Sequence, residues 1–298
     1  MRGHGEVPLA HPEHRISRRG ILAGAGALAA CAPKRAAKPD APTTLAAAVA
    51  GAWRPPADRA RDRWRHPAES LAFWGLNPGA TVVEFWPGAG WYSDIVAPFL
   101  AATGGRLYAA EMPQDDPAAR GVDEAYRRRL ADNPKLYGRV EVTTFGPASG
   151  PVAPPGSADL VLFLRNLHNW MAAGIAEKAF RDAFAALKPG GTLGVEEHRA
   201  DPGGVPDVLA ASGYVEQVYV IRLAEEAGFT LAAASEINAN RRDTKDHPFG
   251  VWTLPPVRRS SARGAPADPK FDHAKYDAIG ESDRMTLRFA KPAAATQP

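Results

Sequence analysis

The 298-residue chain is 45% hydrophobic and can bury a full core, while its single cysteine excludes an internal disulfide and any cysteine-built metal cluster. Its formal charge is +3, but four arginines against two acids lie in residues 1–31, and no dense Lys/Arg stripe with interleaved aromatics follows, so a nucleic-acid partner is not expected. The 28 prolines and 28 glycines imply many loops.

Residues 1–31 read as an export signal. A basic segment ends in Ser17-Arg18-Arg19-Gly20-Ile21-Leu22, and the weakly apolar run from Ile21 to Ala30 is too short to span a bilayer. The twin arginines, with Ser before them and Ile-Leu after, resemble a Tat signal. Leu28-Ala29-Ala30-Cys31 resembles a bacterial lipobox, whose cysteine is acylated and becomes the new N-terminus. The expectation is a protein on the periplasmic side, lipid-anchored to the membrane through Cys31, each buried CH₂ contributing about 0.8 kcal/mol. Residues 32–57 are Pro- and Ala-rich and read as a tether, 58–291 as one domain, and 292–298 as a disordered tail.

The domain opens with a helical stretch, Asp58 to Leu76, in which Pro67 suits the first position of a second helical half. Asn77-Pro78-Gly79 then turns the chain into a buried strand carrying Val82, Val83, Phe85 and Trp86. Pro87-Gly88-Ala89-Gly90 ends that strand with two glycines that let the backbone approach a ligand. A helix from Tyr92 to Leu100 follows, disturbed near its end by Pro98. Strand, glycine loop and helix make a nucleotide-binding unit, with the ligand at the strand's carboxyl edge.

Arg106 to Ala110 is a second strand, ending at Glu111, which follows Gly90 by 21 residues, where such folds place an acid on ribose hydroxyls. Asp123 to Leu130 reads as a charged helix and Arg139 to Phe145 as a third strand. The apolar run Leu160 to Leu164 suits a central parallel strand. It ends in the polar cluster Arg165-Asn166-Leu167-His168. A helix, Ile175 to Leu187, and a fifth strand, Thr192 to Glu196, follow, then a helix over Tyr214 to Ala227 and strands over Phe229 to Ile237 and Arg284 to Phe289. Residues 238–282 are irregular and polar, either a cap over the site or a surface excursion. The β–α alternation predicts an open, doubly wound, mostly parallel sheet with helices on both faces.

Val82-Val-Glu-Phe-Trp-Pro-Gly-Ala-Gly-Trp-Tyr92, Glu111, Asp159-Leu-Val-Leu-Phe-Leu164 and Leu187-Lys-Pro-Gly-Gly-Thr-Leu193 resemble class I S-adenosylmethionine-dependent methyltransferases, from about Asp58 to Phe289. Arg65-His-Pro-Ala-Glu-Ser-Leu-Ala-Phe73 with Gly75-Leu-Asn-Pro-Gly79 resembles, more narrowly, a bacterial group of predicted methyltransferases. The resemblance implies a Rossmann-like α/β fold of seven strands with one antiparallel edge strand. It implies S-adenosylmethionine held by Glu84, Gly88, Gly90, Tyr92, Glu111 and Asn166, with Glu111 on both ribose hydroxyls, and a small-molecule acceptor.

The residue chemistry agrees. A dinucleotide fingerprint has three glycines, whereas here Trp86 and Ser93 stand at the first and third positions, and a sulfonium cofactor without phosphate does not need the third. Methyl transfer is largely a matter of positioning, and a hydroxyl or amine acceptor gains from a general base. His168 is the first candidate, with Asn166 and Arg165 orienting cofactor or substrate, and His198 is the second. Glu196, Glu197 and His198 are metal-ligand types without metal-ligand spacing, so no metal is expected. Trp86 either joins the core or narrows the cofactor slot. If it narrows the slot, the alternative is an exported, non-catalytic nucleoside- or metabolite-binding lipoprotein on the same fold. A nicotinamide-dependent oxidoreductase ranks third, for want of the full fingerprint.

Overall fold

The computed structural model describes residues 41–114, 117–203 and 207–294, all within one unit, Asp40–Pro298. The expected signal segment with Cys31, the first part of the tether and the last residues of the tail lie outside the described residues.

Four short helices come first: α1 (Leu45–Val49), α2 (Pro56–Arg59), α3 (Asp62–Arg65) and α4 (Pro67–Phe73), the last with Pro67 at its start as expected. Then come β1 (Thr81–Phe85), α5 (Ser93–Thr103), β2 (Arg106–Glu111), α6 (Pro117–Asp132), α7 (Pro134–Tyr137) and β3 (Val140–Thr144). β4 (Ala158–Leu164), α8 (Leu167–Ala172), α9 (Ala176–Ala186) and β5 (Leu187–His198) form the next stretch. The chain closes with α10 (Gln217–Glu226), β6 (Thr230–Ser235), a short 3-10 turn over Gly250–Thr253, α11 (Ala274–Ile279) and β7 (Arg284–Ala290).

The sheet order is β3-β2-β1-β4-β5-β7-β6. β1 pairs in parallel with β2 and β4, and β7 runs antiparallel between β5 and β6. The order reverses between β1 and β4, which opens a crevice above their carboxyl ends. Alternate residues feed two cores: Val83, Phe85, Val161 and Phe163 face one layer with Phe180, while Val82, Leu160 and Leu162 face the other with Ile95 and Phe99. Asp159 ties strand starts together, its carboxylate accepting from the Thr81 backbone at 2.8 Å and Lys188 Nζ at 2.5 Å.

Three expectations need correction. The chain between 45 and 57 does not run as a tether: Ala48 is buried, and Arg54 has no exposed side-chain surface while it forks onto Asp62 at 2.7 and 2.8 Å. Pro98 does not end α5, which continues to Thr103. A proline lacks the N–H that would bond the carbonyl four residues back, and here the Trp53 indole donates to that carbonyl, Asp94 O, at 2.8 Å instead. β5 begins at Leu187 rather than Thr192, because Leu187 pairs with Ala158 of β4 ahead of an irregularity in the register, after which Thr192 pairs with Leu160.

Candidate functional site

At the end of β1, Glu84 is 3% exposed and accepts from Ser93 Oγ at 2.6 Å, and Ser93 in turn accepts from Tyr126 Oη at 3.1 Å. Burial pushes the Glu84 carboxyl up to about 7, with the Ser93 hydrogen bond opposing. The loop then turns through positive φ at Trp86 (48°), Gly88 (56°) and Gly90 (79°). At Gly90 the turn has no room for a Cβ, which would stand 2.7 Å from the Tyr126 ring. Arg129 of the same helix, α6, reaches Ala89 O at 2.5 Å.

Glu111, at the end of β2, has no exposed surface and accepts Arg127 Nε at 2.8 Å on Oε2, while its Oε1 has no partner. Burial raises its pKa against the pull of Arg127. The Trp86 indole donates to Phe145 O at 2.9 Å and meets Trp170 edge-on at 5.8 Å, so it is half core and half wall of the crevice. Asn166 donates to Phe85 O at 3.3 Å and Trp86 O at 3.0 Å, bracing the β1 turn. Tyr92 turns away from the glycine loop and donates to Glu196 Oε2 at 2.9 Å. Of the six residues expected around a cofactor, Glu84, Gly88, Gly90, Glu111 and Asn166 converge and Tyr92 serves the neighbouring polar cluster.

That cluster lies above β4 and β5. His168, 5% exposed, places Nδ1 3.0 Å from Glu197 Oε1. The buried carboxylate of Glu197 also takes the backbone N–H groups of Leu167 (2.7 Å), His168 (3.3 Å) and His198 (2.8 Å). An acceptor so placed fixes the proton on Nδ1 and leaves Nε2 free to accept. His198 lies 5.3 Å from His168 between ring centres, with Nδ1 2.6 Å from Ser282 Oγ. Burial, then His168 and the arginines nearby, hold His198 well below the usual histidine range.

Arg165 donates to Glu196 Oε1 at 3.1 Å, and Arg284 reaches the same oxygen at 3.1 Å. The expected metal-ligand types thus split: Glu196 is engaged by arginines, while His168, Glu197 and His198 bring ligand atoms within 4.8 Å of one another. Glu197 spends its oxygens on N–H donors, so the trio is organised as a hydrogen-bonded cluster, not as three open ligands. Together with Arg61, Arg65 and Trp252, the histidines line a cavity of about 310 Å³.

Sequence reasoning missed Arg61, Arg65, Arg127, Trp252, Glu281 and Ser282. Glu281 lies 220 residues from Arg61 and 216 from Arg65, separations no local pattern reveals. The segment 238–282 caps the site, through Trp252 and Leu254.

No protein-family model matches the chain, and no curated protein matches it in sequence. Among solved structures it is similar to the [4+2]-cyclase SpnF, at 17% identity over 77% of this chain and 81% of that one, with a TM-score of 0.51. The fold is the methyltransferase-type Rossmann fold. A SAM-dependent methyltransferase from Aquifex aeolicus aligns at 18% identity over 60% of this chain and 87% of its own, with a TM-score of 0.47. A 1,6-didemethyltoxoflavin-N1-methyltransferase from Burkholderia thailandensis, solved with S-adenosylhomocysteine, aligns at 14% over 78% of each chain, with a TM-score of 0.44. A cyclase on such a fold is a reminder that the scaffold does not fix the reaction.

The residues present match S-adenosylmethionine in kind. Glu84 is an acid for an ammonium group, the glycine loop leaves its backbone open to close approach, and Glu111 Oε1 is a buried acceptor without a donor. What stands over them is α6, whose Tyr126, Arg127 and Arg129 cover the glycine loop and Glu111.

Proposed function

We propose that the protein is an S-adenosylmethionine-dependent methyltransferase acting on a small-molecule acceptor. The observation that carries this reading is the pairing of two features across the crevice. On one side Glu84, Gly88, Gly90 and Glu111 close the ends of β1 and β2 in the cofactor order, with Glu111 Oε1 unpartnered. On the other, His168 is aligned by Glu197 at the end of β4.

When bound, S-adenosylmethionine supplies an electrophilic methyl group on a sulfonium. The chain's own residues do the rest. Glu84 and Glu111 would hold its amino-acid and ribose ends, and Asn166 fixes the β1 turn between them. His168 Nε2 receives the proton that an acceptor hydroxyl or amine gives up, and Glu197 stabilises the resulting imidazolium. Arg165, fixed by Glu196, orients the acceptor.

A second reading, a non-catalytic metabolite-binding protein on the same fold, is favoured by two contacts. Arg127 already occupies Glu111, and the Trp86 indole already occupies Phe145 O. Under this reading α6 is a permanent wall; under the first it moves aside. The N-terminal pattern adds a location, with Cys31 lipidated and the domain on the periplasmic side, where S-adenosylmethionine has no evident supply.

Calorimetric titration of the full chain with S-adenosylmethionine and S-adenosylhomocysteine, beside Glu111→Ala, separates the two. Binding that the variant loses supports the enzyme. A folded wild-type chain that binds neither compound supports the second reading.

A further inference from the structure

Three arginines from two segments meet at the cavity beside His168. Arg61 precedes α3, Arg65 ends it, and Arg165 follows β4. Their counter-charge is thin. Glu281 accepts Arg61 Nε at 2.6 Å and Arg65 Nε at 3.0 Å, and it also takes Arg284 at 3.1 Å. Glu196 is shared by Arg165 and Arg284. Among the described residues, no hydrogen-bond acceptor meets the terminal Nη groups of Arg61 or Arg65. Counting Arg284 behind the wall, four guanidinium groups therefore meet two carboxylates, Glu281 and Glu196. Burial, then Arg165, pulls Arg65 down to about 9, with Arg61 and Arg284 adding to the effect and Glu281 opposing it.

The cavity also has apolar lining. Trp252 packs edge-on to His168 at 5.9 Å, and Leu254 and Pro255 continue the surface. A cavity of about 310 Å³ is at the small end of ligand sites, room for a single-ring molecule. A guanidinium fork matches a carboxylate in plane and in charge.

We propose that this cavity binds a small carboxylic acid with an apolar, ring-sized body, its carboxylate on Arg61, Arg65 and Arg165 and its body against Trp252. The proposal rests on the methyltransferase reading only for the step after binding, in which the acid's hydroxyl or amine stands at His168 as the methyl acceptor. The binding step stands without it.

The test is titration of the full-length chain with benzoate at fixed ionic strength. Benzamide serves as the neutral molecule of the same shape, and inorganic phosphate as the anion without an apolar body. Benzoate is expected to bind at least about tenfold more tightly than benzamide, the scale of one charge-assisted hydrogen bond. Arg61→Gln is expected to weaken benzoate by a similar factor, since the arginines carry the charge. In the wild type, benzoate and not benzamide is expected to shift the ring resonances of His168 and His198, which decides the matter even if Arg61→Gln folds poorly. Equal binding of benzoate and benzamide overturns the proposal, as does phosphate binding more tightly than benzoate. Benzoate binding by a chain that binds no S-adenosylmethionine would sink the methyltransferase reading and leave the carboxylate site standing. Cofactor binding without benzoate binding does the reverse.

Discussion

Arg127 of α6 lies on Glu111 at the end of β2, its Nε 2.8 Å from Oε2, on the carboxylate proposed to hold the ribose. The pair is one-sided: Glu111 has no exposed surface, while the Arg127 side chain is 45% exposed and can leave without stranding itself. Cofactor binding therefore competes with a partly solvated ion pair, worth at most about 1 kcal/mol. Arg127→Gln is expected to tighten S-adenosylhomocysteine about two- to fivefold, measured by calorimetry. Unchanged or weaker binding would mean that Arg127 belongs to the site instead of guarding it.

Glu84 makes stability depend on pH. Its folded pKa of about 7 lies above the ordinary 4.5, so between these values the folded chain holds a proton that the unfolded chain has lost. Stability from this group is full below the unfolded pKa and drains away as pH rises through about 7, by at most about 3 kcal/mol. Glu84→Gln, which cannot ionise, is expected to keep that stability. Its melting temperature relative to wild type should climb between pH 5 and 8, in a pair of thermal denaturation series. Parallel curves would show that Glu84 ionises freely in the folded chain. A bound ammonium group would favour the carboxylate, so cofactor affinity is expected to fall as pH drops below 7 in the wild type and not in the variant.

The strand–glycine loop–helix unit around Gly88 and Gly90, and the strands ending at Glu111 and Leu164, were legible because their signals are local: apolar runs, turn residues, and a spacing set by strand and helix lengths. His168 was legible for the same reason, as a polar residue just past a buried strand. Its partner was not assigned, because Glu196 and Glu197 are adjacent in sequence yet face different neighbours, one toward Arg165 and Arg284, the other toward His168. Strand alternation separates them, but which face meets which arginine is decided by chain more than 80 residues away. Tyr92 was misplaced by a single turn of geometry: at the entrance to α5 it swings under the sheet edge to Glu196 and not over the glycine loop. The Arg61–Arg65–Glu281 cluster and the lid of α6 are tertiary facts with no local trace.

The His168–Glu197 pair predicts a split between chemistry and binding. His168→Ala is expected to lower turnover with S-adenosylmethionine by about 10² to 10⁴, the range of general base catalysis, with cofactor affinity unchanged. Glu197→Gln keeps the size of the side chain but loses the charge that holds the Nδ1 proton, so turnover should fall with cofactor affinity again unchanged. Steady-state rates and calorimetry on the two variants check this. A Glu197→Gln enzyme as fast as wild type would assign Glu197 to supporting the first turn of α8 and nothing more.

Trp53 and Pro98 are coupled through one carbonyl. Pro98 lies inside α5 and leaves Asp94 O without its helical donor, and the Trp53 indole supplies the missing N–H at 2.8 Å. Trp53→Phe keeps most of the ring volume and strands the carbonyl, a cost of about 1–3 kcal/mol. Pro98→Ala restores a backbone N–H at the helical position, so in the Trp53→Phe background it should recover much of that loss. In the wild-type background the new amide would find Asp94 O already occupied, and the gain should be smaller. A double-mutant cycle by urea denaturation reads the difference as a coupling energy. Additive effects would show that the two residues stabilise α5 independently, and that the bond from Trp53 contributes little to fixing the segment before α2 against the helix.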